Sequence, residues 1–195
     1  CVCVCGVKYV FKIKNVCLNK TRIVFYHLLK KQGAKIKYTN FKKENNEMRG
    51  DIFIKNCKLK PIKADKTYYT SATDEYPILF VIAALVKGTS IFKGIKDLAN
   101  KESNRIKEMQ NILSQIGIKS ISSKNSLKIF GKGIFNAENK KIIVSNLGDH
   151  RICMSAFVLA LRTGATTKIK NFETVTASSP SFLRIMKYKF SCRIS

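Results

Sequence analysis

Three short segments of the chain place carboxylates beside cations, each directly before a stretch with a helical pattern. They are Asp74-Glu75-Tyr76-Pro77, Lys101-Glu102-Ser103-Asn104-Arg105 and Asp149-His150-Arg151. A helix N-terminus has unpaired backbone N–H groups and the positive end of the helix dipole, so it stabilises anions. Arginine and lysine add donors for phosphate and carboxylate groups, and a carboxylate among them can move protons. The segments therefore predict an anion-binding site with acid–base groups.

Each segment also has a purely structural interpretation. Asp74 or Asp149 alone is more often an N-cap than a catalyst. The stretch from Lys101 to Arg105 could be an exposed helix face with i,i+3 and i,i+4 pairs, and His150 is more often a structural histidine with satisfied hydrogen bonds. The functional interpretation is favoured because the three segments occupy equivalent positions in a repeat.

The chain follows one scheme three times: a β-rich stretch, a polar loop and an amphipathic helix. The β-rich stretches end at Asn15, Gly94 and Asn171, which lie 79 and 77 positions apart. Gly33 and Gly117 follow the first two helices, where a left-handed C-cap is favoured. Each repeat is therefore predicted to begin with a strand and to continue into a surface helix.

Two further segments have the pattern of buried helices. The residues from Ile78 to Val86 are apolar on all sides, and the run from Ile152 to Leu161 is similar. Both helices are predicted to end at a glycine, Gly88 and Gly164. Because a helix that is apolar all round must be surrounded, the predicted fold class is α/β, with repeated β-α-β units and buried central helices.

Residues 1–195 are predicted to form one domain, because no linker rich in Pro, Gly or Ser divides the chain. Residues 37–73 and 118–148 are predicted to add further strands and turns. The longest apolar run, 78–86, is too short to cross a bilayer, so no membrane association is expected.

The net charge of +25 comes from 37 Lys and Arg against 12 Asp and Glu. So basic a surface attracts polyanions, and nucleic acid is the first partner to consider. The cations are, however, scattered along the sequence, and no aromatic RNA-binding motif, zinc-finger spacing or basic zipper accompanies them. Small anionic ligands are therefore favoured over nucleic acid.

The seven cysteines do not follow the pattern of a disulfide or zinc framework, because no CxxC pair is present. Reduced thiols and a cytoplasmic location are expected. Cys1, Cys3 and Cys5 alternate with valines, which predicts a strand, with a metal-binding tip as the alternative.

The three polar segments, in this order and spacing, resemble the 5-enolpyruvylshikimate-3-phosphate synthase family. Asp74-Glu75-Tyr76-Pro77 and the later segment Thr176-Ala177-Ser178-Ser179-Pro180-Ser181-Phe182 are similar to its class II branch, and the resemblance runs from about residue 12 to 187. It implies the C-terminal domain of an inside-out α/β barrel whose active site forms between two domains. Since residue 1 is Cys rather than Met, we expect an N-terminal domain that this sequence does not include.

The resemblance implies transfer of the enolpyruvyl group from phosphoenolpyruvate to the 5-hydroxyl of shikimate 3-phosphate, with release of phosphate and without a metal or organic cofactor. It implies that Asp74 accepts the hydroxyl proton, that Lys101 holds shikimate 3-phosphate, and that Glu102 moves a proton at the methylene carbon. Arg105 and Arg151 would bind the phosphoenolpyruvate anion. His150 would support them.

The chain departs from the family pattern at three positions: Asn104 replaces an aspartate, Lys20 replaces the proline of an Asn-Pro-Thr-Arg motif, and Ser179 replaces the phenylalanine of a Ser-Phe-Pro motif. None of them removes a group with an implied catalytic role. The sister transferase acting on UDP-N-acetylglucosamine shares the fold but relies on different motifs. A second alternative is a non-catalytic remnant, or a basic module binding anions or nucleic acid. With one wall of the site only, the chain is expected to bind anions weakly and not to turn over alone.

Overall fold

The computed structural model of the chain describes residues 10–145 and 148–190. The predicted strand at Cys1, Cys3 and Cys5 lies outside these residues. The strands are β1 Phe11–Cys17, β2 Lys35–Glu44, β3 Glu47–Lys55, β4 Lys63–Ala64, β5 Gly88–Lys93, β6 Ser120–Ser123, β7 Ser126–Gly131, β8 Lys141–Val144 and β9 Thr166–Ile169. The helices are α1 Val24–Lys31, α2 Lys66–Ala72, α3 Tyr76–Ala84, α4 Arg105–Gln115, α5 His150–Thr163, α6 Glu173–Ser178 and α7 Phe182–Phe190, with 3₁₀ turns at Thr73–Glu75 and Lys96–Asn100.

The repeat predicted from the sequence is present in the backbone. In the first unit, β1 is followed by α1 and then by β2 and β3, and the three strands form a sheet of order β1-β3-β2, with β3 antiparallel to both neighbours. In the second, β5 is followed by α4 and then by β6 and β7, and the strands have the equivalent order β5-β7-β6, with β4 added beside β5. The residues Asn15, Gly94 and Asn171 all have left-handed φ values of 54°, 75° and 52°, a conformation that Gly and Asn tolerate best.

The two buried helices cross between parallel strands. Helix α3 joins β4 to β5 and α5 joins β8 to β9, and both strand pairs are parallel. All residues of α3 except Ile78 are buried, and Tyr76 and Phe80 pack edge-on against each other and against Phe92 of β5. The predicted α/β architecture with buried central helices is therefore confirmed. Among the described residues, no helix combines the length and hydrophobicity that a membrane span requires.

The end of α3 differs from the prediction. This helix ends at Ala84, and Gly88 instead begins β5 with a φ of 119°. The reason is that β7 passes across the C-terminus of the helix: a Cβ at Gly131 would lie 2.1 Å from the carbonyl oxygen of Ala83, and the backbone N–H of Lys132 donates to Ala84 O at 3.1 Å. Gly164, with a φ of 75°, does cap α5 as predicted.

Helix α2 was not predicted, since residues 37–73 were expected to contain only strands and turns. It begins after Asp65, whose side chain accepts a hydrogen bond from the N–H of Thr67 at 2.9 Å. Its buried residue Tyr69 packs edge-on against Tyr76 with ring centroids 5.5 Å apart. Helix α2 thereby leads the chain directly to the first polar segment.

Asp51 stabilises an irregular part of the first sheet, where the register of β1 with β3 shifts between Ile13 and Val16. Its carboxylate forms an ion pair with Lys12 at 2.9 Å and accepts from the N–H of Asn15 at 3.0 Å and from the amide of Asn40 at 2.7 Å. The hydrogen bond from Lys12, followed by those from Asn15 and Asn40, lowers the pKa of Asp51 from 3.8 to about 2.

This depressed pKa predicts an acid-dependent loss of stability. The folded-state pKa lies below the unfolded value, so the contribution of Asp51 is fully present above pH 3.8 and is lost as the pH falls towards about 2. The Asp51→Asn variant should therefore be less stable than wild type at pH 7, and the difference should shrink between pH 4 and 2. Urea unfolding across this range measures it, and a difference that stays constant with pH would contradict the assignment.

Candidate active site

The three polar segments come together because the N-termini of α3, α4 and α5 meet. Asp74 lies in the 3₁₀ turn that precedes α3, and its carboxylate bridges two arginines from the other helices. Its Oδ2 pairs with Nη2 of Arg151 at 2.8 Å, and its Oδ1 accepts from Nη1 of Arg105 at 3.3 Å. The backbone oxygen of Asp74 also accepts from Nη1 of Arg151 at 3.3 Å. One carboxylate thus ties the starts of all three helices together.

Arg105 is the centre of this network, and its side chain is 0% exposed. Its Nε donates to Asp149 at 2.9 Å, its Nη1 to Asp74, and its Nη2 to Glu102 at 2.5 Å. Burial alone would lower the pKa of Arg105, but the hydrogen bond and charge of Asp149, with the charge of Glu102, outweigh it and raise the pKa. The guanidinium is therefore firmly charged and fully engaged by three carboxylates.

Asp149 links α5 to α4, and its side chain is also 0% exposed. It is the N-cap of α5, accepting from the N–H groups of Arg151 at 3.1 Å and Ile152 at 3.4 Å, and it also accepts from Ser103 Oγ at 3.0 Å. Burial would raise the pKa of Asp149, but the Arg105 guanidinium and the hydrogen bond from Ser103 overcome this and lower it. The N-cap interpretation is thus correct for Asp149 and wrong for Asp74, which caps no helix.

The predicted site residues divide into two groups. Asp74, Glu102, Arg105 and Arg151 form one connected network, as the convergence of helix starts required. Lys101, which is exposed, and His150, which is half-buried, precede network residues in the chain. Within the part of the chain that the structure describes, the network includes no hydrogen bond or ion pair from either of these two side chains.

The stretch from Lys101 to Arg105 is a helix start rather than an exposed helix face. Glu102 and Arg105 do form an i,i+3 pair, but the side chain of Arg105 is buried in the protein. Asn104 is the N-cap of α4 and accepts from the N–H of Lys107 at 3.0 Å. The amide at this position therefore keeps the cap that an aspartate would provide, without its charge.

Two carboxylates of the polar segments have roles that the sequence did not reveal: Asp149 is the buried partner of Arg105, and Glu75 lies beside Asp74 at the start of α3. Glu75 occupies the N-cap position of α3, as Asp149 does at α5, but makes no capping hydrogen bond. Burial raises its pKa, Asp74 adds to this, and Arg151 and Arg22 oppose it. Superposing the repeats would have shown that the two residues are equivalent, because each stands immediately before the first residue of a buried helix.

A ligand would meet the carboxylates first. The side chains of Asp74 and Glu102 are 49% and 53% exposed, against 31% for Arg151 and 0% for Arg105. Three carboxylates, Asp74, Glu102 and Asp149, also outnumber the two guanidinium groups that they pair with. An anion that binds these arginines must therefore compete with the carboxylates that already pair with them.

The family model for EPSP synthase (3-phosphoshikimate 1-carboxyvinyltransferase) matches residues 8–186. Two curated relatives are 3-phosphoshikimate 1-carboxyvinyltransferases. That of Clostridium tetani is 35% identical over 175 residues, covering 90% of this chain and 39% of the relative. That of Campylobacter hominis is 39% identical over 175 residues, again covering 90% and 39%. The chain thus spans about two fifths of the length of these relatives.

Solved structures show the same fold. An EPSP synthase from Acinetobacter baumannii superimposes with a TM-score of 0.87 at 29% identity, covering 95% of this chain and 43% of that one. The enolpyruvyl transferase NikO from Streptomyces tendae superimposes with a TM-score of 0.69 at 12% identity, covering 94% and 39%. The likeness to NikO concerns the fold alone.

Proposed function

Because the chain belongs to the EPSP synthase family, we propose that it forms one wall of an active site that transfers the enolpyruvyl group from phosphoenolpyruvate to the 5-hydroxyl of shikimate 3-phosphate. In this reaction the hydroxyl oxygen bonds to the central carbon of the enolpyruvyl group, and the bond from that carbon to the phosphate oxygen breaks. The observation that carries the proposal is the meeting of three helix N-termini at Asp74, Glu102, Arg105 and Arg151.

The exposed carboxylates have the roles that need proton transfer. Asp74 accepts the proton of the 5-hydroxyl as its oxygen attacks, and Glu102 gives and then recovers a proton at the methylene carbon. Both are half exposed, both are hydrogen-bonded to a guanidinium that fixes their orientation, and both use the same guanidinium, that of Arg105. A positioned acid–base group of this kind contributes about 10²- to 10⁴-fold to a rate.

The cationic side chains bind the negatively charged groups of the two substrates. Arg151 and Arg105 bind the phosphoenolpyruvate anion, His150 supports them, and Lys101 holds shikimate 3-phosphate. Arg151 is the more accessible of the two arginines, since it is 31% exposed and pairs, among the described residues, with one carboxylate side chain. Releasing Asp74 from Arg151 as substrate binds would free the donor and the base in one step.

The rest of the site is supplied by a second domain, in the same polypeptide or in another. Two observations support this: the chain spans 39% of the length of its relatives, and the five charged groups of the network sum to −1 because three carboxylates face two arginines. Two anionic substrates need further cations to be held there. The cytoplasmic location, the class II assignment, the single-domain boundaries and the absence of a cofactor requirement stay predictions.

Phosphate release from phosphoenolpyruvate in the presence of shikimate 3-phosphate tests the proposal. The 195-residue chain alone should show no measurable release. The same chain, co-expressed with the part of the Campylobacter hominis relative outside its region of similarity, should release phosphate only when both substrates are present. The matched control pairs that part with the chain carrying Arg151→Met.

Two results would overturn different parts of the proposal. Full activity of the chain alone would contradict the proposal that it forms only one wall of the active site. A complemented pair that co-purifies and binds shikimate 3-phosphate, yet releases no phosphate, would favour the non-catalytic alternative.

A further inference from the structure

Lysines that are scattered in the sequence are gathered on one face of the first sheet. In the register of β2 with β3, Lys35 lies opposite Lys55 and Lys37 opposite Phe53, while in β1 Lys12 also lies opposite Phe53. Directly paired residues, and residues two apart on one strand, point to the same side of a sheet. All four lysines therefore share one face with Phe53, although they span 44 positions of sequence, from 12 to 55.

This face is turned to solvent because the other one is used by the core. Ile36, Ile52 and Ile54 alternate with the residues above and are 4%, 0% and 6% exposed. Lys12, Lys35, Lys37 and Lys55 are exposed, and Phe53 is partly exposed. One side of the sheet thus packs against the core, and the other side, which is exposed to solvent, is basic.

Charges on this face are poorly compensated. The acidic residues of the central strand that share it are already paired, Asp51 with Lys12 and Glu47 with Arg49. Among the described residues, no hydrogen bond or ion pair engages the ammonium groups of Lys35, Lys37 or Lys55. Three unpaired cations within one patch of three strands are complementary to a row of phosphates.

Phe53 supplies a second kind of contact. It stands in the central strand with a lysine on each side, and the ammonium of Lys12 lies 5.1 Å from its ring centroid. An aromatic ring on a flat sheet surface, flanked by cations, offers a base a stacking partner and its phosphates charged donors. A paired base cannot present its π-face in this way, so an unpaired one is required.

We propose that this face, formed by Lys12, Lys35, Lys37, Phe53 and Lys55, binds single-stranded nucleic acid. The site is separate from the carboxylate–arginine network, which lies at the starts of α3, α4 and α5. The sequence prediction against nucleic acid rested on the scatter of the cations along the chain and on the missing nucleic-acid-binding motifs. In the fold, the lysines of this sheet are gathered on one face.

The other sheets serve as internal controls. On the second sheet, Phe130 lies beneath Lys119 at 5.7 Å, but the strand opposite it contributes Thr89 rather than a lysine. On the third, Lys141 lies opposite Thr166, and Lys168 lies opposite Ile143. These faces are basic as well, but neither brackets an aromatic ring between two lysines.

The test measures binding of the full 195-residue chain to a fluorescent 15-nucleotide single strand, as DNA and as RNA, with a 15-base-pair duplex and inorganic polyphosphate as competitors. Phe53→Leu should weaken single-strand binding about tenfold, because base–aromatic stacking is lost, and should leave polyphosphate binding unchanged. Phe130→Leu is the matched control and should change neither.

A second set of variants tests the contribution of the lysine charges. The triple variant Lys35→Gln, Lys37→Gln and Lys55→Gln should lower the affinity for the single strand by at least about tenfold. It should also reduce the slope of log K against log salt concentration by about two, at roughly 0.7 per lost phosphate contact. The control triple Lys128→Gln, Lys141→Gln and Lys168→Gln removes the same charge from the other sheets and should cost less than about threefold. Equal losses in the two triples, or no loss with Phe53→Leu in a variant that unfolds like wild type, would overturn the proposal.

Discussion

Replacing Arg105 by methionine should lower the free energy of unfolding by about 3–5 kcal/mol, the cost of leaving a buried charge without its partner. Methionine fills much of the volume of the arginine stem, so the loss comes from the electrostatics. Asp149 would remain fully buried, and its remaining donors among the described residues would be Ser103 and two backbone N–H groups. Urea unfolding at pH 7, followed by circular dichroism, measures the change.

Two further variants make the result interpretable. Arg151→Met breaks an ion pair that solvent reaches from both sides, so it should cost no more than about 1 kcal/mol. The double variant Arg105→Met with Asp149→Ser removes the stranded carboxylate but keeps a residue that can cap α5. It should recover part of the loss. If Arg105→Met is within 1 kcal/mol of wild type, Arg105 is not the structural centre of the site.

Replacing Asp74 by asparagine should lower the turnover number of the complemented enzyme by about 10²- to 10⁴-fold, because the amide cannot accept the hydroxyl proton. Asparagine has the same shape, and its oxygen can still accept from one of the two arginines that Asp74 bridges. The loss should appear in the turnover number and in kcat/KM equally, as expected for a group that acts in the transition state.

The matched control is Glu108→Gln, which neutralises a carboxylate in the first turn of α4 that takes no part in the network. It should leave turnover within about twofold of wild type. An Asp74→Asn variant that raises KM alone, with an unchanged turnover number, would assign Asp74 to binding rather than to proton transfer.

Much of the fold was predictable where one local pattern dominated. The apolar run of α3 favoured a buried helix, and the spacing of Asn15, Gly94 and Asn171 indicated the repeat. Helix α2 had no such pattern: Lys66 to Ala72 is rich in β-branched and aromatic residues, which favour strands. Only the capping residue Asp65 indicated a helix there, and the packing of Tyr69 on Tyr76 decided it.

The site was predictable in its residue types but not in its pairing. Arg105 and Asp149 are 44 positions apart, and Asp74 and Arg151 are 77 apart, so neither distance in space follows from spacing along the chain. The burial of Arg105, by contrast, could have been predicted from the helical periodicity of α4. It stands four and seven positions before Met109 and Ile112, on the face of α4 that is buried.

The same separations have a consequence for the order in which the protein folds. The hairpins β2–β3 and β6–β7 join neighbouring residues, so they can form early, whereas the network requires three distant helix starts to be docked first. Interactions completed after the rate-limiting step slow unfolding without speeding folding. The destabilisation by Arg105→Met should therefore appear as a higher unfolding rate with little change in the refolding rate. The contacts that are proposed to bind substrate would then also slow the unfolding of the native state.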